Sequence, residues 1–228
     1  MIPIAHIKSL FPTKFGIPRQ SNIVSQLPAT IVFEPEFRNP DALRGIEDFD
    51  YLWLIWQFSE NLRSDWSPTV RPPRLGGNKR MGVFATRSPF RPNGIGLSSV
   101  RLTKVEWDTP DGPVLHVQGA DLMDGTPIFD IKPYIAYSDA HPDARSGFAS
   151  VPGQYRLEVN APESVMTVVP EELRAPLIEV LANDPRPSYH EDAERIYGVP
   201  FGPLEVKFNV KGNILTIVSI DGNVISKG

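Results

Sequence analysis

LSSVRLTKVEWDTPDGPVLHVQGADLMDGTPIFDIKPYIA, residues 97–136, is the stretch on which the fold turns. It holds three runs rich in β-branched and aromatic residues, Leu97 to Glu106, Val114 to Ala120 and Pro127 to Ala136, broken by Pro, Gly and Asp. Upstream the same composition recurs in Met81 to Thr86, Tyr51 to Phe58, Thr30 to Phe37 and Ile2 to Lys8, which makes seven short candidate strands with few helices between them. That pattern predicts a mainly β chain built on a closed or nearly closed barrel, because closure leaves no exposed strand edge. One short helix is expected at Asn39 to Gly45, where Asn caps, Pro takes the first turn and Gly ends it.

Past Ser138 the composition changes. Residues Asp139 to Pro162 are rich in Ala, Ser, Pro and Gly and read as a surface loop. Pro170-Glu171-Glu172-Leu173 opens an amphipathic helix with Leu173, Leu177, Val180 and Leu181 on one side, stopped by Asn183-Asp184-Pro185. Leu204 to Val210 and Ile214 to Ile220, joined by Lys211-Gly212-Asn213, read as a hairpin. The division that follows is a barrel over residues 1–140, a linker over 141–162 and a small α+β domain over 163–228.

A chain of 228 residues with 41% hydrophobic content can bury a substantial core. It has no cysteine, which excludes a disulfide framework, a thiolate zinc site and a cysteine nucleophile. The N-terminus lacks a basic stretch followed by a long apolar run, and no later segment offers about 18 uninterrupted apolar residues. The expectation is a cytoplasmic protein with no membrane span.

The net charge of -4 argues against a nucleic-acid partner until the charges are located. From Arg63 to Arg101 there are eight basic residues and one acidic residue, Asp65, against 15 basic and 26 acidic residues in the remainder. Arg63, Arg71, Arg74, Lys79, Arg80, Arg87, Arg91 and Arg101 therefore form a local footprint for a polyanion or an anionic ligand, or else a solvated loop paired with acidic neighbours.

Several chemistries find no support. Gly94-Ile95-Gly96 leads into a strand-like run, and Gly76-Gly77-Asn78-Lys79 lacks the rest of a phosphate loop, so a Rossmann-type cofactor domain is not expected. His6, His116, His141 and His190 have no ligand spacing, and no metal is predicted. Trp53 and Trp56 read as residues of a packed strand rather than as a base-stacking platform.

Three stretches carry more functional side chains than a fold requires. In Lys14 to Gln20, Pro18 fixes the backbone ahead of Arg19 and Gln20, which suits a loop presenting a donor and an amide, although an ordinary turn reads the same way. In Val70 to Ser98, arginines stand beside prolines and glycines, so little entropy is lost when guanidiniums close on carboxylates or phosphates. In Gly119 to Tyr134, Asp124-Gly125 reads as a turn; Asp130, Lys132 and Tyr134 then alternate on one strand face. A carboxylate, an amine and a phenol on one face can exchange protons or orient a donor; a polar outer face is the alternative.

These stretches resemble the TsaA-like family, whose characterised bacterial members are tRNA threonylcarbamoyl-adenosine N6-methyltransferases. The resemblance rests on PRQ at 18–20, RPPRLGGN at 71–78, GVFATRSPFRPN at 82–93, DGTPIFDIKPY at 124–134 and DPRPSY at 184–189. It implies a non-Rossmann methyltransferase barrel, an S-adenosyl-L-methionine site shared across a homodimer, the tRNA anticodon stem-loop as partner, and a C-terminal domain that helps grip RNA. Carried over by position, the cofactor-binding candidates are Pro18, Arg19, Gln20, Glu60, Asn61, Arg87, Leu97, Gln118, Gly119, Ala120 and Asp121. Asp130, Lys132 and Tyr134 are the candidate catalytic residues, and Arg71, Arg74, Lys79, Arg80, Arg91 and Arg186 the candidate RNA contacts. Ser59 stands where family members often carry His, and Gly94 where a second Pro commonly follows the Asn. A methyltransferase acting on another modified nucleoside or a small molecule, and a non-catalytic barrel binding RNA or an adenosine-containing ligand, are the alternatives.

Overall fold

The computed structural model describes residues 1–59, 66–72, 75, 79–149, 156–186, 192 and 194–222. Six strands close a barrel: β1 (Ala5–Lys8), β2 (Pro28–Phe33), β3 (Tyr51–Gln57), β6 (Ile95–Glu106), β7 (Val114–Gln118) and β8 (Pro127–Pro133), joined in the order β1-β2-β7-β6-β3-β8. Every pairing round the barrel is antiparallel. Strand β3 shows why the sequence folds this way. Leu52, Leu54 and Trp56 point into the barrel and are buried, while Tyr51, Trp53 and Ile55 alternate outward. The inward residues of all six strands form one core, including Ile7, Ile31, Val100, Leu115 and Ile128.

Met81 to Thr86 is not a barrel strand. Only Met81–Gly82 (β5) is extended, paired with Thr69–Val70 (β4) in a separate two-stranded ribbon. Residues Val83–Ala85 then wind into a 3-10 turn, with Val83 buried, its N–H on the Pro68 carbonyl, and Phe84 turned to solvent. The segment has one side chain for the core, and a barrel strand needs an inward residue at every second position. At Pro40–Leu43 the short helix is also 3-10, and Asn39 caps it by accepting the Asp41 N–H at 3.0 Å.

The C-terminal sheet has the order β10-β11-β12-β9, with β9 (Glu158–Asn160), β10 (Tyr197–Phe201), β11 (Leu204–Lys211) and β12 (Ile214–Gly222). The helix Glu171–Ala182 covers its apolar face with Leu177, Val180 and Leu181. Two strands escape a sequence reading. β10 contains Pro200, tolerated because β10 is an edge strand, and β9 falls at the end of the stretch read as a linker, pairing parallel to β12. This sheet also buries Phe11, Val24 and Leu27 from the N-terminal segment between β1 and β2. Phe11 meets Phe201 edge to face at 6.1 Å, and the Gly202 N–H donates to the Leu10 carbonyl at 2.6 Å. The loop carrying Pro18, Arg19 and Gln20 is therefore mounted on the C-terminal sheet at both of its ends.

Candidate active site

At the end of β7 the chain turns through Gly119, whose φ of +81° lies in the left-handed region. A side chain there would also collide with Asn22, since a Cβ would lie 2.4 Å from the Asn22 Oδ1. The close approach brings the 18–22 loop onto the barrel. The Asn22 N–H donates to the Gly119 carbonyl at 2.8 Å, and the Asn22 amide donates to Ser99 Oγ at 3.0 Å and to the Ser99 carbonyl at 3.1 Å. One residue earlier the Ser21 backbone reaches the Asp121 carboxyl. The Gln20 Nε2 donates to the Arg19 carbonyl, and the Gln20 Oε1 accepts a short hydrogen bond from Arg87.

Asp121 is the electrostatic centre of this cradle. Its carboxyl turns in against buried Ser98, whose Oγ donates to Asp121 Oδ1 at 2.6 Å. The Ser98 Oγ accepts in turn from the indole of Trp56 at 3.0 Å. Trp56 lies flat across Gly96, where a Cβ would come within 2.3 Å of the ring. Burial pushes the Asp121 carboxyl above the usual carboxylate range; the Ser98 hydroxyl, its own and Ser21's backbone groups and the Arg87 charge pull it back only in part. A partly desolvated carboxylate, a guanidinium and a side-chain amide thus meet at a strand end.

The second group lies on the outer face of the barrel. Strand register sets side chains there in rows across β8, β3 and β6: Asp130 beside Ile55 and Leu97, then Lys132 beside Trp53 and Ser99. In the next row the Tyr134 N–H donates to the Tyr51 carbonyl, and Tyr51 pairs with Arg101. Adjacent strands are about 4.8 Å apart, so each row spans about 10 Å. Tyr134 packs its ring 5.5 Å from Trp53 and 6.2 Å from Tyr51. Asp139 holds Trp53 in place, accepting its indole N–H at 2.8 Å and the Ile135 N–H at 2.9 Å. These bonds, the Ile135 amide first, keep the Asp139 carboxyl below the usual carboxylate range.

The cradle and the strand face are joined by contact. Arg87 bonds Gln20, Asn22 bonds Ser99, Ser99 is paired with Trp53, and Trp53 packs on Tyr134. Arg87 and Tyr134 are thus the two ends of one relay of neighbouring residues. Lys132 forms an exposed ion pair with Asp130 at 2.9 Å, an interaction of about 0–1 kcal/mol that a ligand can displace. Leu97 stays 55% exposed near the start of β6, an apolar shelf beside this group.

Other candidates take different positions. Gln118 extends the Tyr134, Tyr51, Arg101 row by one strand and opens into a groove of about 530 Å³ shared with Arg101, Glu47 and Asp50. Ala120 is buried in the barrel core, so only its backbone can meet a ligand. Pro18 is buried and Arg19 exposed. Arg91 stitches its own loop, donating to the Thr86 carbonyl at 3.1 Å and the Ser88 carbonyl at 3.4 Å. Arg186 is clamped on Asp184 by two hydrogen bonds of 2.8 Å, with its side chain 12% exposed, which makes it an internal strut rather than a presented cation. Arg71, Lys79 and Arg80 are exposed. Glu60, Asn61 and Arg74 lie outside the described residues. Sequence reasoning missed Ser21, Asn22, Trp56 and Ser98; the available signal was Ser98, a polar residue at an inward position of β6 between Gly96 and Val100.

A closed barrel bearing a charged cradle at a strand end, in place of a parallel sheet with a glycine-rich loop, separates this chain from Rossmann-type enzymes. Residues 6–140 match the family model of the tRNA-methyltransferase O N-terminal domain, and residues 155–223 match that of the TrmO C-terminal domain. The chain is 40% identical over 215 residues to the tRNA (adenine(37)-N6)-methyltransferase of Escherichia coli K12, covering 91% of each. It is also 40% identical over 229 residues to the putative S-adenosylmethionine-dependent methyltransferase RcsF of Pseudomonas aeruginosa, covering 96% of each. The crystal structure of TrmO from Pseudomonas aeruginosa superposes with a TM-score of 0.78 at 33% identity, covering 96% of both chains. The chain belongs to the tRNA-methyltransferase O family and is an enzyme of that class.

Proposed function

We propose that the protein transfers a methyl group from S-adenosyl-L-methionine to N6 of an adenine in tRNA, and that this adenine carries a threonylcarbamoyl group beside the anticodon. One observation supports the reading: the Gln20, Arg87 and Asp121 cradle is linked through Asn22, Ser99 and Trp53 to the face that carries Asp130, Lys132 and Tyr134. The donor set fits an amino acid with a nucleoside attached. Arg87 suits the α-carboxylate and the Asp121 carboxylate an α-ammonium or a ribose hydroxyl, while exposed Leu97 offers an apolar shelf for a purine. When bound, S-adenosyl-L-methionine supplies a methyl group on a positively charged sulfur. Leu97 and Ile55 present apolar surface on the strand face, which a bound ligand would cover.

The acceptor nitrogen of a threonylcarbamoyl-adenosine is urea-like, with a delocalised lone pair, and it must lose its proton as the new N–C bond forms. Asp130 or Tyr134 takes that proton, and Lys132 releases Asp130 to hold the threonine carboxylate. Leu97, exposed on the outer face of β6, supports a homodimer in which a second subunit closes the site. No helix among the described residues is long and apolar enough to cross a membrane, and we place the reaction in the cytoplasm.

Single variants test the strand face. Asp130→Ala or Tyr134→Phe is expected to lower kcat by about 100-fold, the scale of a lost proton acceptor, and Lys132→Met to raise KM for threonylcarbamoylated tRNA. Wild-type turnover in all three would place the site elsewhere. Affinity for tRNA should also fall steeply between about 50 and 200 mM salt, because phosphate contacts release counterions. A flat response would argue against RNA as substrate.

A further inference from the structure

The β4–β5 ribbon carries a feature that methyl transfer does not use. Trp66 and Phe84 meet with ring centroids 6.0 Å apart and planes inclined by 31°. Trp66 is 51% exposed and Phe84 72%. Large aromatic rings left in water in contact with each other mark a binding surface more often than a packing remnant. The local backbone explains their exposure: the Val83 N–H is tied to the Pro68 carbonyl and the Val83 side chain is buried, which turns the next side chain outward.

The surroundings define the partner. The ribbon pairs Thr69 with Gly82 and Val70 with Met81, so Arg71 and Arg80 continue the two strands side by side at the end away from the rings. Arg80 bonds the Thr69 hydroxyl at 3.2 Å, laying its guanidinium back along the ribbon toward the aromatic end. Arg71, Lys79 and Arg80 are exposed. No acidic residue occurs from Trp66 through Val105. Residues 66 to 71 span about 17 Å in extended form, so rings and cations sit within a few nucleotides of one another. Paired aromatic faces beside guanidiniums, with no carboxylate between them in sequence, match a flat ring on a phosphate backbone: the rings take the base and the cations the flanking phosphates. A protein partner would be expected to meet a surface less uniformly cationic.

We propose that the Trp66–Phe84 pair, flanked by Arg71, Lys79 and Arg80, stacks an unpaired RNA base outside the methyl-transfer pocket, giving tRNA a second point of attachment. The proposal rests on tRNA as the substrate, and its test is separable from that reading. The full-length protein is titrated with an anticodon stem-loop RNA bearing 2-aminopurine at successive loop positions, and tRNA methylation kinetics are measured in parallel. Wild-type protein is expected to quench 2-aminopurine at one loop position. Phe84→Leu and the double variant Trp66→Leu/Phe84→Leu should abolish that quench and raise KM for tRNA by about 5- to 100-fold, the range for one lost base stack. Phe84→Tyr, which keeps the ring, should stay within a factor of about two of wild type, and KM for S-adenosyl-L-methionine should not move. Both rings are exposed, so melting temperatures should change little. The proposal is overturned if the double variant quenches and turns over tRNA as wild type does, or if its only change is a lower sedimentation coefficient, which would make the rings a contact between copies. Failure of the wild type to methylate any tRNA, with the quench intact, would remove the methylation reading and leave the stacking site standing.

Discussion

Replacing Asp121 with Asn is expected to cut methyl transfer by about 10- to 100-fold while raising the melting temperature at neutral pH. The catalytic loss follows from removing a charge that faces Arg87 and that, in the proposed site, would hold the donor's ammonium, since hydrogen bonds to charged groups are worth about 1.5–3 kcal/mol. The gain in stability has the opposite origin. Burial is the largest influence on the Asp121 carboxyl and raises its pKa in the folded protein above the unfolded value. A carboxyl shifted upward favours folding fully below its unfolded pKa, and that contribution is lost as pH rises through the folded one. Above the folded pKa the ionised group is held at a cost, which Asn does not incur. The rise in melting temperature should therefore shrink as pH falls through the folded pKa and be gone below about 4, the ordinary Asp range. A fall in melting temperature at neutral pH would show that the Arg87 attraction outweighs desolvation.

Phe201→Ala should have the largest effect on stability and should reach the site as well. Phe201 is fully buried on β10, against Phe11. Truncating a buried Phe to Ala costs about 3–5 kcal/mol, from lost transfer energy and the cavity left behind. The ring also anchors the segment that presents Arg19 and Gln20, because Leu10, Phe15, Ile17 and Ile23 pack against the same core. The folded variant, measured well below its melting temperature by calorimetric titration, should bind S-adenosyl-L-methionine several-fold more weakly. Phe201→Leu, which leaves a smaller cavity, should show the same change in milder form. Unchanged donor affinity in both would mean that the loop is held by the barrel alone, through Asn22, Gly119 and Ser99.

The strand positions of the barrel were legible because alternation repeats along β3, β6 and β8 and turns separate them. The same alternation put Asp130 and Lys132 on one face. What escaped depends on partners distant in sequence. Nothing near Phe11 or Val24 shows that their ring and branched side chain belong to a core built from residues 157–220. Met81 to Thr86 has strand composition, yet Val83 alone finds the interior. Arg91 and Arg186 looked like presented cations because charge is visible in sequence and acceptors are not: two loop carbonyls hold one and Asp184 the other. Trp66 and Phe84 were hidden for a related reason. They are 18 positions apart, and only the ribbon pairing of Thr69 with Gly82 brings them together.

The most direct test is nucleoside mass analysis after incubating the purified protein and S-adenosyl-L-methionine with two preparations of one tRNA, with and without the threonylcarbamoyl group. A gain of one methyl on threonylcarbamoyl-adenosine, confined to the first preparation and abolished by Arg87→Ala, is the result expected. Equal methylation of both tRNAs, or of neither, would contradict the assignment of the Asp130, Lys132 and Tyr134 face to that nucleoside.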